Sequence, residues 1–370
     1  MIPRYLLVVA GSGRMLAQAA KKAGFKTLVI DLFADLDTQM YAQDFCRVPS
    51  LSTEHLAPAV ERFIQCYGVT EVVYGSGLES HPKSLVYLQS RLRLLGNAPS
   101  VFNQAVDKSV FYSLAQELKI PFPDLSFSSP ELDSGWLVKP RRGQGGLGIR
   151  FYQNRCADVS DVFWQRYQPG IPHSALFIAN GKTARIVGFH RQWTTRMNAE
   201  QAFVFAGIIN RTALTDSQKQ QIQNWLAHLT PRLGLRGVNS LDFIQAKDTS
   251  WLLEINPRPP ASMQLYDADL LTAHIQASQG LDYAVEARGP GCSGIRIVYA
   301  DNSVVIPETY QWPENVMDLP GPGSLIGKGQ PICSIIAHQT MADAVIKQLL
   351  HTQHTITKQL ERFQTHAMHG

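Results

Sequence analysis

Residues 240–262, SLDFIQAKDTSWLLEINPRPPAS, read as two apolar strands joined by a turn, with one acid inside each strand. A turn at Lys247-Asp248-Thr249 pairs Asp242 directly with Glu254. Side chains alternate between the two faces of a strand. The face with the acids then holds Asp242, Ile244, Leu252, Glu254 and Asn256, and the apolar face holds Leu241, Phe243, Trp251, Leu253 and Ile255. One face is predicted to be core, and the other is polar.

The two acids repel each other in this arrangement. Directly opposed side chains lie roughly 5 Å apart at Cβ, and like charges there are destabilising. A divalent cation between the two acids turns this repulsion into a net attraction, since carboxylate and amide oxygens are the ligands that Mg²⁺ prefers. The alternative is a solvent-facing hairpin with hydrated acids, and this segment alone leaves both interpretations open.

Composition excludes several classes of protein. The chain has 370 residues, 45% of them hydrophobic and 17% charged, which indicates two or three globular domains rather than disorder. The net charge of +4 is scattered, and without a basic run no nucleic-acid partner is expected. No stretch approaches the roughly 18 apolar residues of a membrane span, and the N-terminus lacks a signal-peptide pattern, so we expect no membrane partner and a cytoplasmic location. The five cysteines include no C-x-x-C and predict neither disulfides nor zinc.

The first hundred residues have the pattern of repeated βαβ units. YLLVVAGSGRMLAQAAKKAGFKTLVID reads as strand, glycine turn, helix and strand, and a helix over Thr53–Tyr67 leads to the strand EVVYGS. This alternation predicts a parallel sheet over 1–99. Gly11 and Gly13 suggest a dinucleotide site, but Arg14 follows where the remainder of the glycine fingerprint is needed, so nicotinamide binding is weakly indicated.

A basic glycine-rich loop follows the strand WLVKP. Gly143, Gly145, Gly146 and Gly148 lack side chains, so their backbone N–H groups can approach an anion closely. Lys139 on the preceding strand is a cation suited to a phosphate oxygen. The spacing differs from that of a P-loop, and a flexible hairpin turn is the alternative. Lys108, in a helix predicted from about Asn103 to Leu118, reads by itself as a solvated lysine.

Together, these motifs resemble those of the ATP-grasp superfamily. The resemblance rests on the helix lysine, the strand lysine before the glycine loop, the segment WQRYQPG, and above all LDF followed by LLEINPR. The chain looks most similar to the predicted carboligases related to biotin carboxylase, of the carboxylate–amine ligase type. The fold class expected is α/β, with α+β character in the centre: a parallel-sheet domain over 1–99, an ATP-grasp domain over 100–285 with antiparallel sheets and a lid at about 120–165, and a small β domain with a final helix over 286–370.

The resemblance implies ATP and Mg²⁺ as cofactors, with Mn²⁺ as an alternative metal. Lys108 and Lys139 would contact the phosphates, and the loop Gly143, Gly145, Gly146 and Gly148 would close over them. Asp242, Glu254 and Asn256 would hold the metal. Arg258 would reach the phosphoryl group that is transferred, so Arg258 and Lys139 are the expected catalytic residues.

Nucleoside binding is implied less directly. Gln165, Arg166 and Tyr167 form the hinge that would offer backbone groups to adenine. Many relatives have an acid at the start of this hinge and another after the PG pair, whereas this chain has Gln165 and then IPHS. Gln165 can accept a hydrogen bond, and His173 is the candidate for the ribose.

The activity implied is ATP-dependent amide formation through an acyl phosphate, with a carboxylate and an amine as substrates and an amino acid or glutamyl ligation in cofactor synthesis as one case. Glu79 and Ser76 follow a parallel strand at the sheet edge where such folds bind ligands, and Glu79 is a candidate for the substrate amine. A helix-starting acid is the alternative for Glu79. A bicarbonate-dependent carboxylase and a nucleotide-binding protein without turnover remain alternatives. A homodimer is a further expectation.

Overall fold

The computed structural model describes residues 4–131, 135–153, 160–247, 249–285 and 291–367, and no side chain beyond residue 364. Asp248 of the predicted turn and Cys156 lie outside this part of the chain. Within it, every helix is too short or too polar to cross a lipid bilayer. The α/β class is confirmed, because a parallel sheet forms the N-terminal part and antiparallel sheets form the remainder.

The N-terminal sheet is parallel throughout, as predicted. Its strands are β1 (Tyr5–Val9), β2 (Lys26–Asp31), β3 (Asp44–Arg47), β4 (Glu71–Tyr74) and β5 (Arg93–Leu95). The helices between them are α1 (Arg14–Lys22), α2 (Leu36–Tyr41), α3 (Thr53–Tyr67) and α4 (Pro82–Arg91), with a 3-10 turn at Leu78–Ser80. In the strand order β3-β2-β1-β4-β5, successive strands of the chain are added on one side of β1 and then on the other. The loops after β1 and β4 therefore diverge and leave a crevice at the carboxyl edge of the sheet.

Two helices stand where the sequence predicted one. These are α5 (Pro99–Val106) and α6 (Lys108–Glu117), and the break is at Asp107. The Asp107 carboxylate accepts hydrogen bonds from the backbone N–H groups of Ser109 and Val110, at 2.9 and 3.1 Å. Such an N-cap starts a new helix. Lys108 consequently lies at the first position of α6.

A small antiparallel sheet of four strands follows α6 in the chain. It contains β6 (Leu125–Ser126), β7 (Trp136–Pro140), β8 (Arg150–Phe151) and β9 (Val162–Arg166), in the order β6-β9-β7-β8. The glycine-rich loop connects β7 to β8. This sheet lies within the range expected for the lid.

The largest sheet has eight strands in the order β14-β13-β10-β11-β12-β15-β19-β17. The central part of the chain contains β10 (Ile171–Asn180), β11 (Ala184–Thr195), β12 (Val204–Ile209), α7 (Asp216–Leu233), β13 (Arg236–Ala246), β14 (Thr249–Asn256), a 3-10 turn at Ala261–Leu265 and α8 (Leu270–Ser278). The C-terminal elements are β15 (Cys292–Tyr299), β16 (Val304–Val305), β17 (Val316–Met317), β18 (Leu325–Ile326), β19 (Pro331–Gln339) and α9 (Ala342–Ala367). Since β12 pairs with β15, strands β15, β19 and β17 continue the central sheet, whereas β16 and β18 form a separate two-stranded sheet. The division at 99 and 285 stays a proposal.

The hairpin of β13 and β14 has the predicted pairing of Asp242 with Glu254, but it reaches that pairing differently. Ala246 pairs with Thr249, so the loop has two residues, and a β-bulge between Asp242 and Phe243 restores the register. Because a bulge adds one residue to one strand, it exchanges the faces of the residues beyond it. Leu252 is therefore fully buried in the core, whereas Leu253 lines the cavity, and the predicted faces of these two residues were wrong.

Candidate functional site

A large cavity of about 1330 Å³ lies between the parallel sheet, the small sheet and the eight-stranded sheet. A site for one drug-sized ligand usually measures roughly 300–1,000 Å³. The space is therefore sufficient for a nucleotide and a second substrate. The predicted residues that line it are Ser76, Lys108, Lys139, Gly143, Gly145, Gly146, Gln165, Arg166, Tyr167, Asp242, Glu254, Asn256 and Arg258.

The opposed acids face this cavity. Asp242 accepts hydrogen bonds from the side-chain amides of Asn256 at 3.0 Å and Gln192 at 3.3 Å. Burial, together with repulsion from Glu254, raises the pKa of Asp242, and these two hydrogen bonds and the charge of Arg258 only partly offset it. The site thus contains more negative charge than the surrounding groups stabilise.

Glu254 is held by a cation from another element. Lys108 Nζ lies 2.7 Å from Glu254 Oε2, because the break at Asp107 places Lys108 at the start of α6, beside β14. Burial disfavours the ionised form of Glu254, but attraction by Lys108, Lys139 and Arg258 outweighs it and holds the pKa of Glu254 below its usual value. Glu254 is therefore ionised at neutral pH.

The donor atoms fit a magnesium ion that is shared with a phosphate ligand. Asp242 and Glu254 offer carboxylate oxygens from paired positions, and the Asn256 amide lies next to Asp242. In the described ranges, no cluster of three or more His, Cys, Asp or Glu side chains is arranged to hold a metal by itself. Mg²⁺ commonly uses one or two carboxylates and takes its other oxygens from water and substrate phosphates. Two acids and an amide are the protein share of such a site.

Lys139 lies deeper in the cavity wall. Its Nζ donates a hydrogen bond of 2.6 Å to Gln165 Oε1, and Gln165 Nε2 donates to the Tyr112 hydroxyl at 2.9 Å. Burial lowers the pKa of Lys139 to about 8, with repulsion from Lys108 adding to the effect and attraction by Glu254 opposing it. A partly buried ammonium whose hydrogen-bond partner is a neutral amide has unused capacity for an anion.

The glycine loop is seated against the eight-stranded sheet. Phe205 N donates to Gly145 O at 2.9 Å, and Ala202 N donates to Ile149 O at 3.0 Å. Gly146 has a φ of +72°, and a Cβ placed there would lie 1.9 Å from Phe203 O. Only glycine fits this contact. The loop in this conformation covers the cavity from the side of the small sheet.

Arg258 and Glu79 pair with each other across the cavity wall. Arg258 Nε lies 2.9 Å from Glu79 Oε1, and Glu79 Oε2 accepts the Gly77 N–H at 2.7 Å. Both side chains are nearly buried, and Glu79 is absent from the described residues that line the cavity. The carboxylate predicted to receive a substrate amine is thus occupied in orienting Arg258. Ser76, predicted beside it, does line the cavity.

The backbone N–H groups of two hinge residues are already hydrogen-bonded within the protein. Arg166 N donates to Asp124 O at 2.8 Å, and Tyr167 N donates to Gly135 O at 2.6 Å. The backbone N–H groups of Arg166 and Tyr167 are thus already paired within the protein, and Gln168 also lines the cavity. His173 is placed wrongly for a ribose contact: its ring stacks on Phe243 with centroids 5.6 Å apart, and it is absent from the described lining residues. The strand alternation of β10 directs Ser174 to the cavity and His173 to the core.

Sequence reasoning missed one group of residues at the far end of the cavity. Ser12, Arg14, Asp35, Gln264 and Asp318 line it there. Arg14 was interpreted only as a departure from a glycine fingerprint. The signal that could have found the group is position, because Ser12 and Asp35 follow two parallel strands whose carboxyl ends meet at one edge.

The comparison with a protein family agrees with this geometry. The ATP-grasp domain family matches residues 105–262. This chain contains an ATP-grasp domain. The matched range is less than half of the chain, and it includes Lys108, Lys139, the glycine loop and the hairpin with Asp242, Glu254 and Arg258.

Related proteins support the ATP-grasp fold well beyond that range. A carbamoyl phosphate synthase large chain from Thermus thermophilus is 22% identical over an alignment 275 residues long, gaps included, which covers 65% of this chain and 25% of that protein. Biotin carboxylase from Campylobacter jejuni, in a β,γ-ATP complex, has a TM-score of 0.74 at 15% identity and covers 96% of this chain and 95% of its own. The biotin carboxylase domain dimer of Hydrogenobacter thermophilus 2-oxoglutarate carboxylase, with MgADP, ADP and bicarbonate, has a TM-score of 0.73 at 15% identity over 92% of this chain and 88% of its own.

Each comparison has a definite reach. This chain spans about a quarter of the synthase large chain, so the activity of that whole protein does not transfer directly. The two solved structures share the fold of this chain over nearly its whole length. The C-terminal strands that continue the central sheet are thus part of a known arrangement.

Proposed function

We propose that this protein is an ATP- and Mg²⁺-dependent ligase that joins a carboxylate to an amine through an acyl phosphate. The observation that carries the proposal is the directly opposed pair of Asp242 and Glu254, in one cavity with Lys139 and the glycine loop. Opposed, partly buried acids beside partly buried lysines fit a divalent cation bridged to a polyanion. A triphosphate supplies that polyanion.

The chain's own residues have separate tasks in this reaction. Lys108 and Lys139 bind the phosphates of ATP, and the loop through Gly145 and Gly146 covers them. Asp242, Glu254 and Asn256 hold the metal, which when bound neutralises negative charge on the phosphate oxygens. Arg258, oriented by Glu79, stabilises the phosphoryl group in transit. Phosphoryl transfer depends mainly on such positioning and charge neutralisation.

Two bond exchanges complete the reaction. A substrate carboxylate oxygen attacks the γ-phosphorus, the bond to the β–γ bridging oxygen breaks, and ADP leaves. The amine nitrogen of the second substrate then attacks the acyl carbon and loses a proton, while phosphate departs with the acyl oxygen. The closed loop protects the acyl phosphate from water.

A carboxylase is the second candidate function. In that case bicarbonate replaces the carboxylate and carboxyphosphate replaces the acyl phosphate. The fold likeness to the Hydrogenobacter domain, whose structure contains bicarbonate, favours this candidate. The two functions need the same phosphate and metal residues, so only the co-substrate distinguishes them.

The test measures ADP and phosphate release from Mg-ATP with a matrix of carboxylates and amines, and separately with bicarbonate. Release that requires one carboxylate and one amine supports the ligase, and bicarbonate-dependent release supports the carboxylase. Glu254→Ala is expected to lose Mg²⁺-dependent release while it keeps its fold, and Glu117→Ala, at a surface ion pair with Arg232, serves as the control. Binding of ATP without any release would overturn both functions in favour of a nucleotide-binding protein.

A further inference from the structure

One end of the cavity lies at the point where the parallel sheet reverses its strand order. The loop after β1 meets the loop after β4 there, and Gly11 N donates to Ser76 O at 2.7 Å. The polar side chains that line this end are Ser12, Arg14, Asp35, Ser76, Gln264 and Asp318. Arg258 and Gln264, and Pro259, Pro260, Ala261 and Ser262 between them, line the same cavity. A second substrate at this end is therefore in the same cavity as the nucleotide.

Arg14 at this end has its guanidinium fully engaged. Its Nε donates to Asp318 Oδ1 at 2.9 Å, and its two terminal nitrogens donate to Gln18 at 3.0 Å and Gln264 at 2.5 Å. The residue is only 2% exposed. Arg14 thus neutralises Asp318 and has little capacity for a ligand.

Two neighbouring acids are also satisfied. Asp31 accepts backbone N–H groups from Gly13, Phe33 and Ala34, so it fixes the two loops rather than a ribose. Asp37 accepts the backbone N–H groups of Asp318 and Leu319 at 2.8 and 2.9 Å, which ties the C-terminal loop to the parallel sheet. These two carboxylates have structural partners.

Asp35 is different. Its side chain has no hydrogen bond or ion pair among the described residues, although it is only 8% exposed and lines the cavity. It precedes α2, but its carboxylate does not cap that helix. Burial and repulsion from Asp318, Asp31 and Asp37 raise the pKa of Asp35 to about 8, since Arg14 compensates only part of this charge. A cavity-lining acid that lacks a partner in the protein can pair with a cation supplied by a ligand, which would favour its ionised form.

The missing partner has the properties of an organic cation. Asp37 and Asp318 lie beside Arg14, and Asp31 and Asp35 lie close enough to Asp318 to be repelled by it, so the group has more acids than cations. Among residues that the structure describes, no set of three acids converges on a metal position here. Phe33, which is 48% exposed, lies on the same cavity wall as Asp35. An ammonium group attached to an apolar body matches both features.

We propose that Asp35 binds the ammonium group of the amine substrate, and that Phe33 contacts the apolar body of that amine. This subsite rests on the proposed ligase function, which it extends by naming the class of amine. Asp35 is a binding residue for the amine and has no role in holding ATP.

The test uses methylammonium chloride as the probe and potassium chloride at the same ionic strength as the reference. Thermal unfolding is followed near about pH 9, where Asp35 is ionised and methylammonium keeps its charge. We expect saturable stabilisation of the unaltered protein and of the control Asp267→Asn, an exposed surface acid paired with Lys22. In Asp35→Asn and Asp35→Ser, the apparent affinity for methylammonium is expected to fall at least about tenfold.

The amine subsite and the ligase function fail in different ways in this experiment. Mg-ATP binding, measured by calorimetry, is expected to be equal in the unaltered protein and in Asp35→Asn. If the unaltered protein does not bind Mg-ATP, the ligase function is contradicted, whether or not methylammonium stabilises the protein. Stabilisation by methylammonium that is no greater than by potassium, or equal in Asp35→Asn, would overturn the amine subsite.

Butylammonium tests the contact with Phe33. Because its chain can lie on the exposed ring, we expect it to bind more tightly than methylammonium to the unaltered protein, and Phe33→Ala to remove that difference. Equal affinities of the two amines for the unaltered protein would overturn the role of Phe33.

Discussion

Arg258 and Glu79 form a nearly buried ion pair, with Arg258 Nε 2.9 Å from Glu79 Oε1, although 179 residues separate them. The pair joins the loop after β4 of the parallel sheet to the end of the acidic hairpin. The Gly77 N–H holds the second oxygen of Glu79. The position of Arg258 is thereby set by the loop after β4 of the parallel sheet.

Glu79→Ala is expected to destabilise the protein by about 3–5 kcal/mol, because removal of one partner leaves the other charge buried and unpaired. Glu79→Gln keeps an oxygen that can accept from Arg258, so we expect a smaller loss of stability. In both variants ADP release should fall more than Mg-ATP affinity, since Arg258 is proposed to act on the transferred phosphoryl group. Chemical denaturation and calorimetry measure the two effects, and an unchanged release rate in Glu79→Ala would contradict the role of this pair.

Asp242→Asn is expected to abolish ADP release and to stabilise the fold at about pH 8. The pKa of Asp242 is raised in the folded state, so its contribution to stability is lost as the pH rises and the carboxylate ionises. The neutral amide avoids that loss, and the Gln192 amide can rotate to present its oxygen to the new donor. The difference in Tm between the variant and the unaltered protein should shrink near about pH 5, where both side chains are neutral. If Asp242→Asn is less stable than the unaltered protein at every pH, the ionised Asp242 carboxylate does not destabilise the fold.

Gly146→Ala is expected to weaken ATP affinity at least about tenfold, whereas Gly145→Ala should have a smaller effect. Both glycines have positive φ, of +72° and +63°, so both substitutions have a similar backbone cost of about 1–2 kcal/mol. Only a Cβ at residue 146 meets another atom closely, Phe203 O at 1.9 Å; at residue 145 it meets no described atom within 4 Å. Titration of ATP with each variant gives the affinities. Equal losses of ATP affinity in the two variants would indicate that the contact of Gly146 with Phe203 does not contribute to ATP binding.

ATP binding is expected to take up protons near about pH 8 and not near about pH 6.5. Lys139 has a lowered pKa of about 8 in the free protein, so part of its population is neutral there. A bound triphosphate favours the ammonium form and raises that pKa. Calorimetry in buffers of different ionisation enthalpy measures the uptake, which should disappear in Lys139→Gln and persist in Lys219→Gln, a variant at the exposed helix α7. Uptake that survives in Lys139→Gln would assign it to another group.

Local sequence patterns predicted much of this molecule. The helix over Thr53–Tyr67 has the predicted bounds, and the parallel sheet follows from its βαβ alternation. The pairing of Asp242 with Glu254 was predicted from a three-residue turn, but the structure reaches it through a two-residue loop and a β-bulge. The glycine pattern after Lys139 located a loop that does line the cavity.

Tertiary structure decided which partners these residues have. The bulge that places Leu253 at the cavity depends on how both strands pack, and the direction of His173 depends on where β10 lies in its sheet. The pairs of Lys108 with Glu254 and Arg258 with Glu79 join residues that are 146 and 179 positions apart. Whether a charge such as Asp35 finds a partner is likewise set by the docking of distant loops. Alternation and turns act between neighbours in the chain, whereas burial and charge compensation depend on what folding brings together.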